Sequence, residues 1–167
     1  MKKFLFVLAV VCGLSTTAMA QQKGDAFIGG AIGCSAGTDS ATSFGLAVEG
    51  GGFVANRLAL SGEVAYNLVA GEINVITVGP KLSYYARLAD KFYYTPGVSV
   101  VGAYVNVGGA DTGNIGVGLD LAAFEFRPTQ HFGMKVNLFS MSAMFNNGFS
   151  FSADMMMNTS VSFRYYF

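Results

Sequence analysis

The chain has 167 residues, 52% of them apolar and only 12% charged, with ten acidic residues against ten basic ones. A soluble domain carries about 25% charge, and a chain with no net positive charge offers no basic footprint for nucleic acid. Beyond the N-terminus no run approaches the roughly 18 apolar residues of a membrane helix, so the apolar surface must be buried in an unusual core or face lipid as strands.

Residues 1–20 read as a leader. Lys2 and Lys3 form a basic start, residues 4–14 are apolar, and Ala18-Met19-Ala20 is a small-x-small cleavage site. Lipidation at Cys12 is a weaker alternative, because Val11 stands where a small residue is wanted. Cleavage after Ala20 leaves residues 21–167 as one domain, with eight basic and ten acidic residues, since the leader holds two lysines and no acid. One cysteine remains, Cys34, so no internal disulfide is expected.

From Ala26 onward the chain alternates with period two, as strands do. Ala26–Ala36 sets Ile28, Ile32 and Cys34 on one side. Ser43–Phe53 sets Phe44, Leu46 and Val48 against Ala47 and Glu49. In Leu58–Leu68, Leu58, Leu60, Val64, Tyr66 and Leu68 oppose Ser61, Glu63, Ala65 and Asn67. Val75–Ala86 and Phe92–Val105 repeat the scheme, with Val78, Leu82 and Tyr84 opposite Thr77 and Lys81, then Val98 and Val100 opposite Ser99. Ile115–Phe126 sets Val117, Leu119 and Leu121 against Asp120, and its phase slips near Ala122-Ala123, where a bulge fits. Phe132–Met144 and Met155–Phe167 complete eight strands, each of about the 9–11 residues that a tilted strand needs to cross a bilayer.

The connections alternate between two kinds. Phe53–Leu58, Arg87–Lys91 and Arg127–His131 are tight turns. Gly37–Thr42, Val69–Asn74, Asn106–Asn114 and Phe145–Asp154 are looser. That rhythm belongs to an all-β fold, an eight-stranded antiparallel up-and-down transmembrane β-barrel.

A soluble barrel also alternates, with its apolar side inward. The polar face here is mostly Gly, Ala, Ser and Thr, too poor in charge for a soluble exterior. Its charges balance: Glu49, Glu63 and Asp120 against Lys81, Lys135 and Arg164. These six are the expected ion-pair residues of a closed polar lumen, where pairing offsets the cost of leaving water. Aromatic residues gather beside the tight turns and define an expected interfacial girdle of Phe53, Tyr84, Phe92, Tyr94 and Phe132, with Tyr85, Tyr93, Phe124, Phe126, Tyr165, Tyr166 and Phe167 at the same level.

The chain ends SVSFRYYF, with Val161, Phe163, Tyr165 and Phe167 at every second position. An open edge cannot survive in lipid, so the last strand must pair with the first. The ending resembles the C-terminal signal of bacterial outer-membrane barrels, a terminal Phe preceded by alternating aromatic or apolar residues. FVANRLAL (53–60) is similar to the first inner turn, and VGPKLSYYARLADKFYYTPGV (78–98) to the central hairpin, of small barrels of the OmpX/OmpW/OmpA-transmembrane type, especially the Bacteroidetes "porin family". The resemblance implies a Gram-negative outer membrane, with lipid and lipopolysaccharide as surroundings. It also implies the barrel-assembly machinery and periplasmic chaperones as partners during biogenesis, with Val161, Phe163, Tyr165 and Phe167 as the assembly signal.

No catalytic, metal or cofactor site stands out. His131, the sole histidine, lies in a tight turn on the expected periplasmic side, the wrong end for outer-leaflet lipid chemistry. One histidine and one mature cysteine give no persuasive zinc ligand set. GGAIG (29–33), EGGGF (49–53) and GNIGVG (113–118) contain no full nucleotide-binding motif. Glycine in a small barrel relieves crowding. Met155-Met156-Met157 reads as strand alternation rather than a soft-metal site. The expected function is a non-enzymatic structural envelope barrel with short loops and a plugged lumen. The alternatives are a narrow channel for small solutes or ions, a soluble periplasmic ligand-binding barrel, and an outer-leaflet enzyme.

Overall fold

The computed structural model describes residues 23–35, 43–69, 73–146 and 148–167. The leader expected over 1–20, the Gly37–Thr42 loop and the side chains of Cys34 and Met155–Met157 lie outside the described residues. Ten strands follow in order: β1 (Ala26–Ser35), β2 (Ser43–Ala55), β3 (Leu58–Val69), β4 (Ile73–Tyr84), β5 (Ala86–Ala89), β6 (Phe92–Tyr94), β7 (Gly97–Val107), β8 (Ala110–Phe126), β9 (Phe132–Asn146) and β10 (Gly148–Tyr166).

These ten pieces make eight staves. β5 continues β4 after a break at Tyr85, and β6 precedes β7 across Thr95-Pro96, where proline removes a ladder donor. The antiparallel ring runs β1-β2-β3-β4-β7-β8-β9-β10 and closes where β10 pairs with β1, from Phe27↔Tyr166 to Gly33↔Ser160. Closure leaves no long edge to be satisfied by water, the condition for strands in hydrocarbon. On β4 the ladder with β7 skips Gly79 and Pro80, while Pro80 keeps its place opposite Gly62 of β3.

Strand phase decides the two faces. Val48, Val64, Val78 and Ile115 are 55–61% exposed, whereas Glu49, Lys135 and Arg164 are 2–7% exposed. Leu60 and Leu119 also lie on the outside. The barrel is therefore apolar outside and polar inside, the arrangement of a transmembrane barrel.

The hairpins are longer than their glycine content suggests. The looser loop expected over Asn106–Asn114 is mostly strand: β7 and β8 stay paired to Val107↔Ala110. Gly108 (φ 57°) and Gly109 (φ 90°) supply the two left-handed residues of a tight hairpin turn. Likewise β9 and β10 remain paired through Phe145↔Phe149, inside the loop expected at Phe145–Asp154. The bulge falls at Asp120–Ala123, where two register shifts occur. It inverts the phase of β8: Leu119 and Leu121 point out, while Ala123 and Glu125 are fully buried.

The aromatic girdle requires a correction. Phe53 is not on the outer surface; it is 3% exposed and packs in a cluster with Phe27, Ala59, Tyr85, Tyr93 and Tyr166. Its phase explains this, since Phe53 is four residues from inward-facing Glu49 on the same strand. Tyr85, Tyr93 and Tyr166 are inward for the same reason, and these rings fill the lumen at the tight-turn end. Tyr84, Phe92 and Phe132 do face outward, with Tyr94 half-buried among them.

Candidate functional site

The lumen gathers the chemistry of this chain, and glycines make room for it. Arg164 on β10 has Gly29 of β1 opposite on one side and Gly133 of β9 on the other. A Cβ at Gly29 would sit 2.9 Å from the Arg164 Cγ, and one at Gly133 would sit 2.8 Å from the Glu125 Oε1. With both positions empty, the guanidinium spreads to partners two strands away in each direction.

On one side Arg164 Nε and Nη2 donate to Glu49 Oε2 of β2, at 3.1 and 2.5 Å. On the other, Nη1 donates to Glu125 Oε2 of β8 at 2.9 Å and to the Tyr85 hydroxyl at 2.5 Å. Ser61 Oγ donates to Glu49 Oε1 at 2.7 Å, and the Tyr166 hydroxyl donates to Glu125 Oε1 at 2.5 Å. Arg127 Cζ lies 3.6 Å from the Tyr166 ring centroid, with Nε 4.0 Å from Glu125 Oε1. Burying such charges is costly unless every lone pair finds a donor. Here two carboxylates share one guanidinium and take further donors from Ser61 and Tyr166.

A second cluster adjoins the first. Asp120 forms ion pairs with Lys81 and, at 3.7 Å, with Lys135, while Asn137 Nδ2 donates to its Oδ1 at 2.8 Å. Glu63 stands directly opposite Glu49 across β2 and β3. It lines the cavity, and among the described residues no cation lies within ion-pair distance of it. The six residues singled out in the sequence thus all face the lumen: five join two ionic clusters, and Glu63 stands beside them. Glu125, Tyr85, Ser61 and Arg127 complete the arrangement. The β8 bulge moves Glu125 from the apparent lipid phase to the inside.

From the ionic clusters toward the looser-loop end lies a cavity of about 310 Å³, walled by small side chains such as Ala47, Thr77, Ser99, Ser140 and Ser162. At the tight-turn end the rings close the lumen. Phe53 meets Tyr85 edge-on at 5.0 Å, and Phe27 lies 5.5 Å from Tyr166. Arg164 Cζ sits 4.9 Å over the Phe27 ring, joining the ionic layer to the aromatic one. Among the described residues no group of three or more His, Cys, Asp or Glu is arranged to hold a metal.

Of the remaining singled-out residues, Tyr165 and Phe167 lie at the tight-turn rim, while Val161 sits further along β10, paired with Ile32 and Val136. Phe163, Tyr165 and Phe167 are outward and exposed, and Val161 is half-buried. The Phe167 N–H donates to Ala26 O at 2.9 Å, which holds the chain end on β1. His131 Nδ1 lies 2.9 Å from Tyr166 O, and its ring stacks on Tyr165 at 5.7 Å. The outer rings pack in pairs, Phe92 on Phe124 at 5.7 Å and Phe132 on Phe163 at 6.2 Å.

No protein-family model and no curated protein matches the chain. Solved structures do. Neisserial surface protein A (NspA) superposes with a TM-score of 0.58 at 15% identity, covering 86% of this chain and 96% of that one. The outer membrane protein Ail of Yersinia pestis, in a phospholipid bilayer nanodisc, gives 0.55 at 10% identity, covering 87% and 100%. The N-terminal β-barrel domain of Pseudomonas aeruginosa OprF gives 0.51 at 12% identity, covering 88% and 100%. The fold is that of the small eight-stranded outer-membrane β-barrels.

Proposed function

We propose that the protein is a non-enzymatic β-barrel of a Gram-negative outer membrane, with a structural role in the envelope and a lumen that does not conduct. The observation that carries this reading is the pairing of an apolar exterior with an interior closed twice, by the Arg164–Glu49–Glu125 layer and by the rings beneath it. An exterior of this kind is stable only in lipid, and an eight-stranded lumen is narrow enough for side chains to fill. Export follows from cleavage of residues 1–20. Lipid and lipopolysaccharide surround the barrel, and periplasmic chaperones and the barrel-assembly machinery deliver it through the signal at Val161, Phe163, Tyr165 and Phe167.

Membrane fractionation with electrophoresis before and after boiling tests the reading. The protein is expected in the outer-membrane fraction, with a mobility that shifts on heating and an N-terminus at Gln21. Recovery in the soluble periplasmic fraction without detergent would instead indicate a ligand-binding barrel. Planar bilayers test the closed lumen. Steady openings that change when Glu63 or Lys81 is replaced would establish a narrow channel. Phe167→Ala is expected to slow assembly in cells while leaving refolding of the purified chain in detergent unchanged.

A further inference from the structure

Charge is sorted along the barrel axis. The lysines and arginines that follow the leader lie either in the lumen (Lys81, Lys135, Arg164) or at the tight-turn end (Lys23, Arg57, Arg87, Lys91, Arg127). Among the described residues, the opposite end carries Asp111 on the β7–β8 hairpin and no lysine or arginine.

Three of the turn-end cations form one exposed arc. The Lys23 N–H donates to Asn56 Oδ1 at 3.2 Å, which sets Lys23 beside the β2–β3 turn. Arg57 is the next residue, and its carbonyl accepts from the Tyr85 N–H at 2.7 Å, which sets it beside β5. Arg87 follows two residues on. All three side chains are exposed; Asp90 pairs with Arg87 at 2.5 Å and Asp25 lies two residues from Lys23, so three cations face two acids and the arc keeps a net positive charge. Its height is fixed by its neighbours: Val54, Tyr84 and Leu88, between 45% and 56% exposed, are outward apolar groups of the same short stretches. Apolar groups that enter lipid, with cations immediately beyond them, place those cations at headgroup level, where basic side chains attract anionic lipid.

We propose that the Lys23–Arg57–Arg87 arc binds the anionic headgroups of the phospholipid leaflet around the turn end of the barrel. The inference rests on the membrane-barrel reading above. With Asp111 and no cation among the described residues at the other end, the same lipid is favoured at one rim over the other.

The test uses the folded barrel in phosphatidylcholine vesicles carrying trace spin-labelled phosphatidylglycerol or spin-labelled phosphatidylcholine. The fraction of each label immobilised at the protein surface gives a relative association constant. A preference of about fivefold for the glycerol label is expected, shrinking toward one at about 0.5 M salt. The triple variant Lys23→Gln, Arg57→Gln, Arg87→Gln is expected to lose it, and Asp111→Asn at the far end to keep it. Equal association of both labels with the wild type, or a preference that survives in the triple variant, overturns the proposal. Folding is verified by the shift on boiling. Should the triple variant not fold, Arg57→Gln alone carries the comparison, and an undiminished preference there counts against the arc. A wild-type chain that shows no shift refutes the membrane barrel, whereas a folded one without headgroup preference refutes only the arc.

Discussion

Arg164 reaches Glu49 across an intervening strand: Nη2 lies 2.5 Å from Oε2, although β1 separates their two strands. Both side chains are almost fully enclosed, at 1% and 8% exposure, and the same guanidinium holds Glu125, whose side chain is fully enclosed. Replacing Arg164 with Met would strand two buried carboxylates. Breaking a buried pair in this way costs about 3–5 kcal/mol, enough to remove much of the stability of an ordinary domain. The Arg164→Met barrel is expected to unfold at clearly lower urea concentration in detergent. The triple variant Arg164→Met, Glu49→Gln, Glu125→Gln should recover part of the loss, because no stranded charge remains. Equal midpoints for the single and triple variants would contradict this account.

The reach of Arg164 depends on its glycine neighbours. At Gly29 an added Cβ meets the Phe163 carbonyl as well as Arg164, both at 2.9 Å. Backbone cannot swing aside as a side chain can, so Gly29→Ala is expected to cost about 1–3 kcal/mol through overpacking. Gly50 and Gly62 lie on the outer face with nothing within 4 Å of an added Cβ. Alanine there should shift the unfolding midpoint little, by about 0.5 kcal/mol or less. A Gly29→Ala barrel as stable as Gly62→Ala would refute the crowding argument.

Much of this structure is legible because strand phase has only two values. Once Leu60 and Val64 are assigned to lipid, Ser61 and Glu63 must face inward, and the same logic carries across Lys81, Asp120 and Arg164. Three features are harder to see. Phe53 adjoins a turn, as girdle residues do, yet it keeps the inward phase of Glu49. Glu125 has the apparent phase of lipid-facing Leu119 and Leu121, but the bulge at Ala122 adds a residue and reverses the faces beyond it. Strand length is ambiguous at Gly108-Gly109, since glycine marks both a loose loop and a two-residue turn, and only the backbone angles tell them apart.

The outer face makes its own prediction. Val64 is 55% exposed near the middle of β3, with Val48 and Val78 paired beside it. A cation at the bilayer midplane of a barrel costs about 2–4 kcal/mol, falling to about 0–1 near the interface. Val64→Arg is therefore expected to lower the unfolding midpoint in vesicles, and Val54→Arg, at the turn-end rim, to change it little. The reverse order, with the rim position the more sensitive, would mean that the hydrocarbon band lies elsewhere on the barrel.

Phe53 separates the two closures of the lumen. Its ring sits 5.0 Å from Tyr85, 6.2 Å from Phe27 and 6.4 Å from Tyr166. Phe53→Ala removes a fully packed ring and leaves a cavity among the survivors, a loss of about 3–5 kcal/mol. Phe92, outward-facing and 37% exposed, stacks on Phe124 and borders lipid that can refill the space, so Phe92→Ala should cost less. Conductance follows a different rule. Arg164 stands two residues further along the barrel wall than Tyr166, and its pairs with Glu49 and Glu125 cross the lumen above the rings. The Phe53→Ala barrel is thus expected to be less stable but still silent in a planar bilayer, because the ionic layer remains in place. Steady openings in this variant alone would assign the seal to the rings and leave the ion pairs with a purely structural role.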